Sequence, residues 1–491
     1  GAVTVVHILN EENNASFKIA WIIPVLVIPV FGTVLYIYIN LQPGTKRIHK
    51  KLTKIEDEIR PYLAQNEETV QELQEQSAGE KGIADYLYHA DNYPVYAGCK
   101  MKYYPIGEAK FADVIEQLKR AEHFIFMEYF IVTKSYMWNT ILEILKEKAA
   151  QGVEVRMMYD GMCSLALLPY GYYKDLEKMG IQSIPFSQIR PVLSTYQNNR
   201  DHRKILIIDG KTVFTGGINL ADEYINRIDR FGHWKDTAVM IQGEAVKSFT
   251  LLFLKMWHVA KGKDSIPEEE IRKYTVEVWE NTQSDEMRAD MESMRNTAMQ
   301  NTKDKKLHAG GYVIPYGDDP YGDERIGKQV YIDILNRARK YVHIMTPYLI
   351  LDDEMITALR YCAKRGVETV IIMPHIPDKI YAYLLARTYY KQLLKYGVKI
   401  YEYTPGFCHA KMCVVDDVVA TCGTINLDYR SLYHHFENGC LYAYGPAVQE
   451  TRQDMEAMMR ESLEVTEKYN TGRSQGMRFI QMLLRLIAPL L

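Results

Sequence analysis

"HRKILIIDG" at positions 202–210 and "HAKMCVVDD" at positions 409–417 carry the same three polar residues at the same spacing. Each stretch has a His, a Lys two residues later and an Asp five residues after the Lys: His202, Lys204, Asp209 and His409, Lys411, Asp416. Because side chains alternate between the two faces of a strand, His and Lys project together, whereas Asp has the opposite parity. The pattern predicts two equivalent strands that each present an imidazole and an ammonium group. Each Asp is better placed for structural hydrogen bonds at the strand end.

The correspondence between the two stretches continues downstream. Gly216 and Gly423 lie 14 residues after their His, and Asn219 and Asn426 lie 17 residues after it, each followed by Leu. Two unrelated structural histidines would not share this extended register. The sequence therefore predicts a duplicated module.

Both strands follow similar alternations of amphipathic helix and apolar strand, such as "VIEQLKRAEHFIFMEYFI" and "YIDILNRARKYVHIMTPYLI". Such alternation is typical of an α/β fold in which helices cover a sheet, and self-similarity on this scale predicts two duplicated α/β domains. We expect these to share one site. The predicted divisions are a membrane segment at 1–40, an amphipathic linker helix at 41–90, domains at 91–262 and 309–470, a polar linker at 263–308 and an amphipathic tail at 471–491.

Composition narrows the class of protein. The 491 residues carry a net charge of -3, without the basic excess that phosphate contacts require of a nucleic-acid binder. Seven scattered cysteines without CxxC spacing predict reduced thiols used in packing, in a cytoplasmic setting, and favour neither disulfides nor a zinc site. His233, His434 and His435 are interpreted as structural, so we expect no metal and no cofactor.

A 21-residue uncharged stretch, Ile19–Ile39, is long enough to cross a bilayer, and a buried core helix is the alternative. The basic residues that follow it place its C-terminal side in the cytoplasm by the positive-inside rule. An upstream span, trimmed or lost, is a further hypothesis. In the tail, Arg478, Gln481 and Arg485 form one stripe of a helix that either lies in the membrane interface or packs on the domain.

These residues resemble the phospholipase D superfamily, whose signature is a duplicated His-Lys-Asp element with a trailing Gly and Asn. The likeness covers about residues 96–444 and is closer to bacterial cardiolipin synthases, as in "MEYFI", "TPYLILDDEM", "GTINLDYRS" and "FENG". Thr424, where Ser is common, and Gly217 at the equivalent first position depart from the pattern. The resemblance implies a metal-independent transferase of the bacterial cytoplasmic membrane, with its catalytic domains on the cytoplasmic side.

The resemblance also implies the reaction. One phosphatidylglycerol gives its phosphatidyl group to a catalytic His and releases glycerol, and a second phosphatidylglycerol then attacks to give cardiolipin. By resemblance to the family, His202 is the nucleophile and His409 is the general acid. The resemblance also implies that Lys204, Lys411, Asn219 and Asn426 hold the phosphate. The motif residues Asp209 and Asp416 complete the candidate catalytic set.

Further residues follow from the same resemblance. A carboxylate about thirty residues past each His orients its ring, which points to Asp236 and Glu437. Tyr129 and Tyr348 either line the pocket or pack in the core. A phospholipase D hydrolase, a phosphatidylserine-forming enzyme, a nuclease and a non-catalytic scaffold are the alternatives. A homodimer is favoured only because symmetric assembly is common.

Overall fold

The computed structural model describes residues 1–11, 14–40, 43–187, 199–278, 310–322, 324–466 and 475–490. Its strands β1 to β18 are, in chain order, Tyr96–Ala97, Lys100–Tyr104, Phe124–Tyr129, Glu154–Asp160, Gln182–Phe186, Lys204–Ile208, Thr212–Gly216, His233–Lys235, Ala238–Gln242, Tyr312–Asp318, Tyr341–Met345, Glu368–Pro374, Lys399–Tyr403, Gly406–Cys408, Met412–Val415, Val419–Gly423, Glu437–Ala443 and Ser462–Glu464.

Helices cover these strands. In chain order, α1 to α17 are Ala2–Asn10, Ala15–Val27, Pro29–Asn40, Pro43–Ile59, Glu67–Gln76, Ala78–Asp91, Gly107–Arg120, Tyr136–Ala150, Cys163–Ala166, Tyr172–Lys178, Val246–Ala260, Glu268–Thr275, Ile326–Arg337, Asp353–Lys364, Ile380–Tyr396, Pro446–Arg460 and Gln475–Ile487.

Two sheets of matching design form the centre of the fold. The first has the order β2-β9-β7-β6-β3-β4-β5 and the second β1-β10-β17-β16-β15-β11-β12-β13-β18. In each, a motif strand (β6 or β15) lies between an antiparallel hairpin partner and the first strand of a parallel trio. The predicted α/β fold with an internal duplication is therefore confirmed.

A buried helix packs against both sheets. Helix α11 is buried along most of its length and contacts β5, β6 and β7 of the first sheet and β10 of the second. A helix that is apolar on most sides belongs in a protein core. One continuous apolar cluster accordingly includes residues of both sheets.

The predicted transmembrane helix at 19–39 is not one helix. The chain breaks at Ile28 between α2 and α3, and the rings of Trp21 and Tyr36 lie 5.6 Å apart. In an unbroken helix, 15 residues would separate them by about 22 Å. Gly32 allows the close approach, since a Cβ there would lie 2.4 Å from the carbonyl oxygen of Pro24.

This stretch is therefore a helical hairpin, and the expectation of one continuous helix is wrong. No helix in the described parts of the chain combines the length and apolarity needed to cross a bilayer.

Two other predicted segments also differ from expectation. The linker helix predicted at 41–90 is divided into α4, α5 and α6, because a 3₁₀ turn at Arg60–Leu63 contains Pro61 and Asn66 caps the next helix. In the predicted linker at 263–308, α12 packs on the first half, where Arg156 Nη1 lies 2.6 Å from Glu270 Oε1. Residues 279–308 lie outside the described chain. The predicted domain boundaries stay predictions.

Candidate active site

The two motif strands begin where the halves of the chain meet. The backbone N–H of His202 donates to the carbonyl of Phe436 at 2.9 Å, and that of His409 donates to the carbonyl of Lys235 at 2.7 Å. These bonds tie the start of each motif to the other half. The sequence prediction that the two histidines share one site is consistent with this arrangement.

Each imidazole is held by a carboxylate of the opposite half. Nδ1 of His202 lies 2.9 Å from both carboxylate oxygens of Glu437, and Nδ1 of His409 lies 2.6 Å from Oδ2 of Asp236. An ionised carboxylate can only accept, so Nδ1 carries the proton in both rings and Nε2 keeps its lone pair. The sequence expectation named the right carboxylates, but it paired each with the His that precedes it. The structure crosses the pairs.

Burial controls the protonation of this site. Desolvation holds the pKa of His202 well below its usual range and lowers that of His409 to about 4, where the positive charge of Lys411 adds to the effect. The charge of Lys204 also lowers the pKa of His409, so the two motifs interact electrostatically. The pKa of Glu437 is lowered, because His202 and His435 outweigh its own burial. Both imidazoles are neutral at pH 7.

The two lysines lie beside these rings. Nζ of Lys204 donates to the carbonyl of His202, and Nζ of Lys411 donates to that of His409. Burial lowers the pKa of Lys204 to about 7 and that of Lys411 to about 8. An anion bound between them would restore their charge, as a phosphate does. The site is thus built to gain positive charge as it binds an anion.

The motif aspartates are structural. Asp209 accepts the backbone N–H groups of residues 122, 123 and 124 at 2.7–2.8 Å, and Asp416 accepts those of residues 339, 340 and 341 at 2.7–2.9 Å. Both adopt the left-handed region, with φ of 53° and 54°. Their carboxylates are occupied in anchoring the turn to the loop before β3 or β11. Their place in the candidate catalytic set is corrected, in agreement with their strand parity.

The two trailing asparagines differ in their surroundings. Oδ1 of Asn219 accepts the N–H of Ile131 at 3.0 Å, and its Nδ2 donates to the hydroxyl of Tyr224 at 2.7 Å. Oδ1 of the buried Asn426 has no hydrogen-bond partner among the described residues. Both ends of the Asn219 amide are held by the protein, whereas the amide oxygen of Asn426 is not.

The candidate pocket tyrosines also differ. Tyr129 is buried in an apolar cluster with Nζ of Lys110 5.6 Å from its ring centre, which favours core packing. The hydroxyl of Tyr348 donates to Oδ2 of Asp378 at 2.5 Å, and Lys379 lies over its ring. The charge of Asp378 partly opposes the burial that lowers the pKa of Lys411.

The residues after the two motif glycines shape the carboxylate pockets. A Cβ at Gly217 would lie 2.0 Å from Oδ1 of Asp236, so only Gly fits there. At the equivalent position, the hydroxyl of Thr424 donates to Oε2 of Glu437. Gly217 and Thr424, the two departures noted in the sequence, therefore match the two carboxylates. The shorter Asp236 packs against the backbone of Gly217. The longer Glu437 receives a hydrogen bond from Thr424.

Two aromatic residues neighbour the motif histidines: Trp234, which the sequence analysis did not name, and His435, which it interpreted as structural. Trp234 and His435 each stand two residues before the orienting carboxylate. Their rings lie 5.5 Å from those of His409 and His202, respectively. Aligning the two halves on Asp236 and Glu437 would have revealed this equivalence, and with it the fact that only one half carries a third imidazole.

The duplicated fold, with crossed His–carboxylate pairs beside two buried lysines, defines an enzyme of the phospholipase D type. Residues 114–257 and 331–459, more than half of the chain, match the family described as "Cardiolipin synthase, PLD-like domain", and residues 2–39 match "Phospholipase_D-nuclease N-terminal". The chain belongs to the cardiolipin synthase family of the phospholipase D superfamily. The predicted enzyme class, a phosphatidyltransferase, is confirmed.

Relatives match along the whole chain. An uncharacterized protein of Streptococcus mutans is 44% identical over 488 residues, covering 99% of both chains. A cardiolipin synthase of Halalkalibacterium halodurans is 30% identical over 486 residues, covering 99% of this chain and 91% of its own. The crystal structure of phosphatidylserine synthase from Haemophilus influenzae superposes with a TM-score of 0.58 at 16% identity, over 84% of this chain and 97% of its own, and shows the same fold.

Proposed function

We propose that this enzyme makes cardiolipin and glycerol from two molecules of phosphatidylglycerol through a phosphatidyl-histidine intermediate. The crossed placement of two neutral imidazoles, each held at Nδ1 with Nε2 left for chemistry, is the observation that carries the proposal. A phosphodiester resists direct attack, and a covalent intermediate divides one hard step into two easier ones.

In the first step, Nε2 of His202 attacks phosphorus. The P–N bond forms, the bond from phosphorus to the glycerol oxygen breaks, and His409 gives that oxygen a proton. His409 must be protonated for this, and its pKa in the free enzyme is only about 4. The bound phosphate opposes the lysine charges that depress this pKa, so substrate binding favours the protonated form.

In the second step, a hydroxyl of another phosphatidylglycerol attacks the same phosphorus. His409, now neutral, takes the hydroxyl proton, and the P–N bond breaks to free His202. Lys204 and Lys411 offset the charge that grows on the non-bridging oxygens in both steps, and Asn426 offers a further donor. The roles are exchanged between the steps, as microscopic reversibility requires for matched leaving and attacking alcohols.

Two apolar surfaces support attachment to the membrane that supplies both lipids. The hairpin of α2 and α3 exposes Val27 and Val30 at its turn, 72% and 80% exposed. In helix α17, Gln481 is buried and donates to the carbonyl of Leu384, and Arg485 lies over the ring of Tyr389. The exposed side chains of this helix include four large apolar ones: Phe479, Ile480, Met482 and Leu483.

The two apolar surfaces are linked close to the catalytic centre. Phe17, in α2, packs its ring against those of Tyr433 and His434, and His434 contacts the carbonyl of Pro489 beyond α17. The next residue, His435, neighbours His202. We accordingly expect the protein to lie on the cytoplasmic face of the bacterial membrane with the hairpin embedded in the interface.

Product analysis tests the proposal. Purified enzyme incubated with phosphatidylglycerol vesicles is expected to yield cardiolipin and glycerol in equal amounts, with no product from the His202→Ala variant. Rapid quenching with denaturant at mildly alkaline pH, which preserves the acid-labile P–N bond, followed by peptide mass spectrometry should locate the phosphatidyl group on His202. Phosphatidic acid without cardiolipin would show a hydrolase, and turnover only with added serine would show a phosphatidylserine-forming enzyme.

Attachment is tested separately by sedimentation with anionic vesicles. The Val27→Asp/Val30→Asp double variant is expected to lose most vesicle binding, while it keeps its activity on lipid dispersed in detergent. Thr53→Asp, at an exposed polar position on α4, serves as the control for a negative charge added outside the hairpin. Unchanged binding of the double variant would contradict attachment through the hairpin.

A further inference from the structure

The wall of the site carries a third imidazole that the reaction does not use. His435 is only 8% exposed, and neither ring nitrogen has a hydrogen-bond partner among the described residues. Its Nδ1 lies 3.8 Å from Oε1 of Glu437. A buried ring with both nitrogens unsatisfied is costly, and a bound ion is one arrangement that would satisfy it.

The other half of the chain shows that the fold does not need an imidazole here. The equivalent residue is Trp234, whose indole packs at the same 5.5 Å from its catalytic ring. An apolar aromatic therefore fills this position without loss of the His–carboxylate pair. The second imidazole beside His202 is a specific feature of the second half.

Three potential ligand atoms converge at this point. One atom from each of His202, His435 and Glu437 lies within 4.8 Å of the other two, and all three side chains are buried. A tetrahedral Zn²⁺ with bonds of about 2.0–2.1 Å separates its ligand atoms by about 3.3 Å, so small rotations of the two rings would complete the set. Two imidazoles and a carboxylate suit Zn²⁺ and its transition-metal neighbours and disfavour Mg²⁺.

We infer that His202, His435 and Glu437 form an inhibitory site for a divalent transition-metal ion, with Zn²⁺ the best match. The ion takes Nδ1 of His202, the atom that now donates to Glu437. The proton displaced from Nδ1 moves to Nε2, so the ring stays neutral and no proton is released. In the Nε2–H form, the ring has no lone pair for phosphorus.

The occupied site is therefore incompatible with the nucleophilic role of His202. Binding of the ion stands by itself, whereas inhibition rests on the proposed function. The ion acts as a reversible stop on the enzyme and takes no part in its turnover.

Direct binding is the first test. Titration calorimetry in detergent without lipid, with Zn²⁺ alone as the probe, is expected to show one site in the wild type that His435→Asn and Glu437→Gln each weaken at least about tenfold. His434→Asn is the matched control, because its ring contacts the carbonyl of Pro489 instead of the trio. A cooperative thermal unfolding transition verifies that each variant is folded. The midpoint temperature of that transition is expected to rise with Zn²⁺ in the wild type and the control only.

Inhibition is the second test. Zn²⁺ should inhibit the wild type and His434→Asn, with recovery on addition of EDTA, and the concentration for half inhibition should rise at least about tenfold in His435→Asn, each relative to its own metal-free rate. Mg²⁺ should have no such effect. Equal Zn²⁺ affinity in wild type and His435→Asn would overturn the site. Binding as expected without any transferase activity would instead contradict the proposed function and leave the site intact.

Discussion

The two halves of the chain each contain a motif histidine held by a carboxylate, but the side chains around the two histidines differ. In one, His409 is held by the short Asp236, with bare backbone at Gly217 and the indole of Trp234 alongside. In the other, His202 is held by the longer Glu437, which also receives the hydroxyl of Thr424.

The second centre is the more polar one, since His435 stands there in place of the indole. A duplicated scaffold has thus kept the geometry of the two rings while their surroundings diverged. Divergence of this kind is expected if one ring is a nucleophile and the other an acid.

Replacing the orienting carboxylates should give the largest effect. Glu437→Gln and Asp236→Asn each leave the wrong tautomer or an unheld ring, and each should lower kcat with phosphatidylglycerol by about 10⁴. A lipid with a p-nitrophenyl leaving group needs no acid, so Asp236→Asn should retain a burst of nitrophenolate that Glu437→Gln loses.

Glu116→Gln, an exposed carboxylate on α7, is the control for these variants and should behave as the wild type. A burst that survives in Glu437→Gln and disappears in Asp236→Asn would reverse the assignment of nucleophile and acid.

The residues beside the carboxylates should rank next. Gly217→Ala places a methyl 2.0 Å from Asp236 and must displace it, which we expect to lower kcat at least about a hundredfold. Thr424→Val removes one hydrogen bond to a charged acceptor, about 1.5–3 kcal/mol, or about ten- to a hundredfold in rate. Thr424→Ser should remain near wild type. Equal losses in Gly217→Ala and Thr424→Val would show that the two pockets are less different than their geometry indicates.

The lysines should give a pH dependence that distinguishes the halves. A buried Lys is charged below its pKa, so Lys204 loses its charge as pH rises through about 7 and Lys411 as it rises through about 8. With the nitrophenyl lipid, kcat/KM should therefore decline across pH 7 to 8, because the anionic substrate meets fewer cations. Lys204→Arg should move the first decline to higher pH. A flat profile up to pH 9 would contradict the lowered pKa values.

The asparagines should give the smallest effect on turnover but a clear contrast in stability. Asn219→Ala leaves Tyr224 and the N–H of Ile131 without partners and should lower the free energy of unfolding by about 1–3 kcal/mol. Asn426→Ala, whose Oδ1 has no protein partner to lose, should leave stability nearly unchanged and raise KM. Denaturant titration with parallel kinetics measures both. Equal destabilisation would remove this distinction.

Local pattern predicted much of the site. Strand parity and the repeated spacing identified both His–Lys pairs, and parity also indicated that Asp209 and Asp416 are structural. The crossing of the carboxylates was beyond sequence reasoning, because an offset along the chain says nothing about which sheet a side chain faces. That crossing arises from the packing of Phe436 and Lys235 against the opposite motif.

The N-terminal hairpin shows a different limit. Hydropathy measures only how apolar a stretch is, and positions 19–39 are apolar throughout. The break depends on Pro29 directly after Ile28 and on Gly32 meeting the carbonyl of Pro24. Pro29 and Gly32 are both visible in the sequence. Because proline and glycine are tolerated within helices in a bilayer, these residues did not decide between one helix and two.

The crossed hold on the imidazoles has a consequence for how the protein is made. A chain of which only the first half has been made carries His202 without Glu437 to hold it, and Asp236 without His409 to orient. Lipid-cleaving capacity therefore arises only once synthesis is complete and the second half has docked.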